Sequence, residues 1–337
     1  MLPNGAATAV DITLIKFLSW QFYLGKDNFF AMSEYAQNDQ RQDFLPILDY
    51  GHSLWKSSSQ YVATSYNSGA KFWRKEDLEE IERQLTESST TDIFTVRRID
   101  GKELLIKNPI LGVDRSIWKP YVKFQEYWRL VKEEPEGPPE THLCSYLVDW
   151  ENQIVRDYEG QIENARLLFA QTIKSWNPSR TCASFGERIV SLLGTKKVTK
   201  IVCFGLGDIT RKAPEWWKAR HSPRSHEFEA RIIESRMIQH LIALTIADVL
   251  HARGESRDAV RLLAQDPDYT DETKEILRAA GFEIVGQFGA GGFAEVDDES
   301  VVFSAFVAAP VKQIIADIAR PALIIRSENN GAFNSDG

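Results

Sequence analysis

Cysteine is scarce in this chain, and Cys144, Cys182 and Cys203 form no Cys-x-x-Cys pair. Three scattered cysteines exclude a disulfide framework and a thiolate zinc site, and reduced thiols are expected of a cytoplasmic protein. No apolar run approaches the roughly 18 residues of a membrane span. The first residues lack the basic start and apolar core of a secretory leader. Positive charge is not in excess either. A net charge of −8 excludes a protein that coats DNA along its surface, while leaving room for a local basic patch. No Gly-x-Ser-x-Gly elbow, His-Glu-x-x-His, P-loop or zinc spacing occurs, and the scattered histidines nominate no metal site. No internal repeat and no cofactor signature is found.

What the chain does have is core-forming material. Hydrophobic residues make up 43% and aromatic residues 11% of the 337, enough for a sizeable core and, on length, for two domains. The stretch around which the rest is organised is 200–211, KIVCFGLGDITR. Its apolar run 201–204 reads as a strand buried on both faces. Gly205 and Gly207 then allow a sharp turn at the strand's carboxyl end, where ligands bind in parallel α/β sheets.

Residues 1–131 read as an irregular, aromatic-rich α+β region. The segment 12–24 is apolar enough for a buried helix or strand, and 75–85 spaces Leu78, Ile81 and Leu85 for a short amphipathic helix. Segments 94–99 and 103–107 flank Asp100-Gly101, a type I′ hairpin signal. The tryptophans concentrate before Trp150, as core aromatics or as stacking surfaces. Segment 132–141, KEEPEGPPET, reads as a linker, and 329–337 as a frayed tail. Between them, 142–328 reads as a Rossmann-like, doubly wound α/β domain. Helices are expected at 157–176 and 185–193, the second stopped by Gly194. Then follow strand 201–204, helix 227–253, strand 260–265, helix 271–280, strand 283–285, the glycine-rich GQFGAGGF, strand 301–306, helix 311–319 and strand 322–326. Five such strands fit a parallel sheet of order near 3-2-1-4-5. The crevice would open between 205–210 and 304–310, with Asp266 and Glu328 at neighbouring strand ends.

Three features carry candidate chemistry. The connection from Gly205 to Ser225 is far longer than a usual βα loop of about 2–6 residues. It holds Arg211, Lys212, Lys218, Arg220, His221 and Arg224 with Trp216 and Trp217, a set suited to phosphates and a stacked base. A solvated loop covering the sheet edge is the alternative. In helix 227–253, Glu234, Ser235 and Gln239 fall among apolar neighbours near the ligand edge. A carboxylate there either has a raised pKa, as a general base would, or pairs with an arginine. His240 is expected on a partly exposed polar stripe. Asp266 ends a strand in a turn, and Ser304 sits inside its strand, where a core serine bonded to backbone is the simplest role. GLGDIT also suggests a dinucleotide loop, but it lacks the third glycine and a helix directly after it, which makes nicotinamide binding the weaker reading.

KIVCFGLGDI, SRMIQHLIALTIADVL, VRLLAQDPDYTDETKEILRAAGFEIV, VVFSAF and ADIARPALII resemble the sensitivity-to-red-light-reduced (SRR-like) domain in its fungal form, over about 180–328. Plant and animal branches of that family are linked to circadian and haem-related regulation. Some fungal proteins of similar plan resemble arginine-containing cyclodipeptide synthases, which act on aminoacyl-tRNAs with a Rossmann-like domain. The resemblance implies an aminoacyl-tRNA partner, including arginyl-tRNA, held by Arg211, Lys212, Lys218, Arg220 and Arg224 with Trp216 and Trp217. It implies a carboxylate for the arginyl guanidinium, from Asp208, Glu234 or Glu295. Gly205, Gly207, Ser235, Gln239, Asp266 and Ser304 would line the substrate site. Bacterial cyclodipeptide synthases carry a nucleophilic serine near the end of the first strand; this loop offers only Thr210.

Overall fold

A computed structural model describes residues 55–113, 117–131, 137–153, 160–212, 225–254 and 260–326. The expected segments 12–24 and 329–337, Glu328, and the insert residues Trp216, Trp217, Lys218, Arg220, His221 and Arg224 lie outside them.

The described chain begins with α1 (Lys56–Asn67) and α2 (Lys75–Thr86). On α2 the expected stripe of Leu78, Ile81 and Leu85 is fully buried, and Glu76 and Asp77 sit in the first turn against the positive end of the helix dipole. β1 (Ile93–Arg97) and β2 (Glu103–Lys107) form the antiparallel hairpin. Its turn is not type I′, which needs two consecutive positive φ angles. Only Gly101 has one, at +80°, and the Arg98 N–H donates to the Lys102 carbonyl across a longer connection. Asp100 stays out of the left-handed region because its carboxylate is held by the Arg98 guanidinium and the Lys102 N–H. β3 (Trp118–Phe124) leads to α3 (Tyr127–Val131), a 3-10 turn at Pro139–Thr141 and β4 (Tyr146–Asn152). β3 and β4 pair antiparallel, so the segments before and after the proline-rich stretch share one ladder.

α4 (Ala165–Trp176) starts later than its apolar spacing suggests. Upstream, the Ile162 N–H donates to the Thr210 carbonyl and Gln161 bridges Arg211, which keeps the chain extended. α5 (Arg180–Leu193) starts earlier than expected, because the Ser179 side chain accepts the Cys182 N–H as an N-cap. Gly194 closes it.

The carboxyl-terminal half follows the expected order with bounds shifted by a residue or two. It runs β5 (Lys200–Phe204), α6 (Ser225–Ala252), β6 (Arg261–Gln265), α7 (Asp271–Ala279) and β7 (Glu283–Ile284). It continues through α8 (Gly291–Glu295), β8 (Ser300–Ser304), α9 (Val311–Ile318) and β9 (Leu323–Arg326). All five strands are parallel in the order β7-β6-β5-β8-β9, which is the expected 3-2-1-4-5. The order reverses between β5 and β8.

Alternation along the strands sorts the core into two faces. Ile201, Cys203, Leu262, Ala264, Val301 and Phe303 pack with apolar residues of α4 to α7. Val202, Phe204, Leu263 and Val302 pack with α8, α9 and the amino-terminal elements, including Phe72, Trp73, Phe94, Phe124 and Tyr146. Those aromatics therefore serve as core. Phe293 stacks on Phe204 at 4.3 Å between ring centroids and meets Phe124 edge-on.

Polar staples fix this cover to the sheet. The Glu82 carboxylate on α2 accepts the N–H groups of Phe288, Ala290 and Gly291 at 2.8, 3.0 and 3.0 Å, all in the glycine-rich segment. From the other side, Gln265 donates to the Gly289 carbonyl and accepts the Gly292 N–H. Asp317 on α9 accepts the N–H groups of Phe72 and Trp73.

Candidate functional site

The carboxyl edge of the sheet is where β5, β6 and β8 release their chains toward one another. Gly205 has φ +64°, its N–H donates to the Gln265 carbonyl, and its own carbonyl accepts the Phe306 N–H. A Cβ at this position would lie 2.2 Å from the Phe306 carbonyl oxygen. Only glycine permits three chains to meet this closely. Gly207, at φ +79°, packs under the Arg236 side chain and donates its N–H to Asp266 at 2.8 Å. Asp266 also accepts the Asp268 N–H within its own turn. The two glycines thus serve backbone approach inside the loop.

Asp208 is only 3% exposed. One carboxylate oxygen accepts the Thr210 N–H, the Thr210 hydroxyl and the Arg211 N–H at 2.7, 2.8 and 2.8 Å. The other accepts the Thr270 N–H at 2.6 Å. Burial alone would raise its pKa, but the bonds from Thr270 and Thr210 hold the carboxyl below the usual range. Thr210 is equally engaged, with Thr270 Oγ1 at 2.8 Å and the Thr273 hydroxyl at 3.4 Å. Thr270 in turn caps α7. Arg236 closes the loop from α6, its Nη1 donating to the Asp208 and Arg211 carbonyls.

α6 carries the remaining candidates. Glu234 points to solvent, contrary to the inward placement expected of it. Its neighbour Ser235 is 2% exposed and Gln239 5%, and neither Ser235 Oγ nor Gln239 Oε1 has a hydrogen-bond partner among the described residues. His240 is fully buried, not on an exposed stripe. Its Nδ1 lies 2.8 Å from the Arg236 carbonyl and must carry the hydrogen, so Nε2 accepts from the Tyr269 hydroxyl at 2.8 Å. Burial lowers its pKa to about 4, which makes it a neutral strut between α6 and the β6–α7 turn.

Ser304 is buried at the end of β8, in register with Phe204, on the sheet face opposite α6. Its Oγ has no partner among the described residues, where a backbone bond was expected. Glu295 is not part of this edge. α8 carries it to the amino ends of the strands, where it pairs with Arg261 at 2.9 Å and Lys200 at 3.7 Å. Arg211 and Lys212 stand at the start of the insert, and the Lys212 N–H donates to the Gly160 carbonyl. Arg236, Tyr269, Thr270 and Thr273 complete the loop network and were not singled out from sequence. The Thr270-x-x-Thr273 spacing before α7 is a capping signal from which part of it could have been found.

Among the described residues, no helix is long and apolar enough to cross a membrane, and no cluster of three or more His, Cys, Asp or Glu is placed to hold a metal ion. Residues 170–326, from within α4 to the end of β9, match the family model of the SRR1 domain. The chain therefore carries an SRR-like domain built on the five-stranded sheet. No curated protein and no solved structure matches it.

Proposed function

We propose that the SRR-like domain holds aminoacyl groups at the carboxyl edge of its sheet, and that the chain is a tRNA-dependent cyclodipeptide synthase whose product contains arginine. The observation that carries this is the neutral, buried Ser235–Gln239 pair beside a loop whose acid and hydroxyl are already engaged. An aminoacyl ester arrives activated, so the reaction asks chiefly for positioning. The free amine of one aminoacyl-tRNA attacks the ester carbonyl of the other, and the tRNA of the attacked ester leaves through its ribose oxygen, which takes up the proton released by the amine. The amine of the resulting dipeptidyl ester then attacks its own ester carbonyl, closing the ring and releasing the second tRNA.

Arg211 and Lys212, continued by Lys218, Arg220, Arg224, Trp216 and Trp217 of the insert, would receive the acceptor end. Glu234, in the half of α6 that meets the loop, would face the guanidinium of the arginyl group as an exposed carboxylate. Thr210 donates to Asp208 and is not assigned a covalent aminoacyl intermediate. The test is expression in a heterologous host with mass spectrometry of the extracts. New arginine-containing cyclic dipeptides are expected, and their absence despite soluble, folded protein overturns the proposal.

One observation favours a second reading, a regulatory module that binds a ligand without turning it over. Asp208 accepts four hydrogen bonds and is a structural acceptor as it stands. That reading predicts stabilisation by a ligand and no product.

A further inference from the structure

The buried polar groups of α6 divide into two kinds. His240 is bonded at both ring nitrogens, and Thr245 donates to the Leu241 carbonyl while accepting the Trp176 indole N–H. Ser235 and Gln239 are buried to the same degree, yet Ser235 Oγ and Gln239 Oε1 are unpartnered among the described residues. Leaving such oxygens unpaired is unfavourable, and two of them on one buried face call for a partner such as a bound ligand. The two residues are one turn apart and share a face of the helix. That face continues into the buried Ile242 and Ile246, which pack in the core against the sheet. Arg236, between the pair in sequence, bonds the Asp208 carbonyl, which places this stretch of α6 at the carboxyl edge.

We propose that Ser235 and Gln239 form a subsite for a secondary amide in the cis configuration, the edge that a cyclic dipeptide ring presents. A carboxamide offers a donor beside an acceptor, and a hydroxyl offers either. Neither carries charge, so an ionised group would be buried there without a counter-charge. In a cis amide the N–H and C=O lie on one edge, and a carboxamide meets both with two parallel hydrogen bonds. The chemistry assigned to the ligand follows from the side chains. Its identity as the product ring rests on the synthase proposal above.

The test uses the full chain and synthetic cyclo(glycyl-glycine) and cyclo(arginyl-glycine), with binding read by calorimetry and stability by thermal melting. The wild-type protein binds cyclo(arginyl-glycine), and Gln239→Leu weakens that binding about tenfold or more while leaving Tm unchanged or higher, since an unpaired carboxamide oxygen has been removed from an apolar setting. Ser235→Ala has a smaller effect of the same sign. If Gln239→Leu fails to fold, Gln239→Met carries the same readout at similar side-chain length. A lowered Tm with unchanged binding, or no binding of either ring by folded wild-type protein, overturns the subsite. Binding through Gln239 without product in cell extracts would sink the synthase proposal alone. Undiminished product from Gln239→Leu would sink the subsite alone.

Discussion

The Asp208 carboxylate and the Thr270 N–H meet at 2.6 Å, tying the loop after β5 to the cap of α7. Asp208→Asn gives up the charge in these bonds and is expected to destabilise the fold by about 2 kcal/mol. The folded carboxyl titrates below its unfolded value, so its contribution is present above the unfolded pKa of about 4 and is lost as pH falls through the folded value. Thermal melts between pH 2 and 7 should show an acid limb in the wild type that is flatter in the variant. An unchanged limb would assign acid sensitivity elsewhere.

Asp317 has the opposite sign. Burial pushes its carboxyl up despite the Trp73 and Phe72 N–H groups it accepts. The folded state then holds the proton more tightly than the unfolded one, and stability declines as pH rises from the unfolded pKa through the raised folded value. Asp317→Asn should therefore compare more favourably with wild type at pH 7 than at pH 3. The reverse ordering in paired melts would contradict this.

Glu82 joins the amino-terminal elements to the glycine-rich segment through three N–H groups. Glu82→Ala leaves those donors to water and should lower stability on the order of 2 kcal/mol. Hydrogen exchange should quicken at Phe288, Ala290 and Gly291 while the amides of β5 and β8 stay protected. Equal protection in variant and wild type would show that Glu82 does not hold the segment.

His240 should remain neutral, with its hydrogen on Nδ1, from pH 8 down to pH 5, because burial holds its pKa to about 4. Nitrogen-15 shifts of the ring check this directly. Stability linked to this residue is complete above its unfolded value of about 6.5 and declines as pH falls toward 4. A ring that titrates near 6.5 would mean that it is not buried in solution.

The sheet was legible because each of its strands is a short apolar run closed by polar or glycine punctuation, and the order follows from connection rules. The site was harder to read, as Glu234 and Ser235 show. They are adjacent on a helix whose apolar residues leave few polar gaps, and periodicity alone cannot say which side is open. α4 reaches the helix at Met237 through Thr172 and α5 reaches it at Thr245, both past Glu234, whose side chain is exposed. Glu295 was misplaced for a different reason. The glycine-rich segment does lie at the carboxyl edge, but α8 then crosses the sheet, and no local pattern records that distance. Asp208 looked available because a polar turn reads the same in sequence whether it faces a ligand or bonds to itself.

Purified full-length protein given arginyl-tRNA charged with labelled arginine, together with a mixture of other aminoacyl-tRNAs, puts the synthase proposal to its most direct trial. Label should pass from tRNA into a cyclic dipeptide, detected by mass spectrometry, at a rate set by enzyme concentration. Label released only as free arginine, at the rate of spontaneous hydrolysis and from protein shown to be folded, would contradict it.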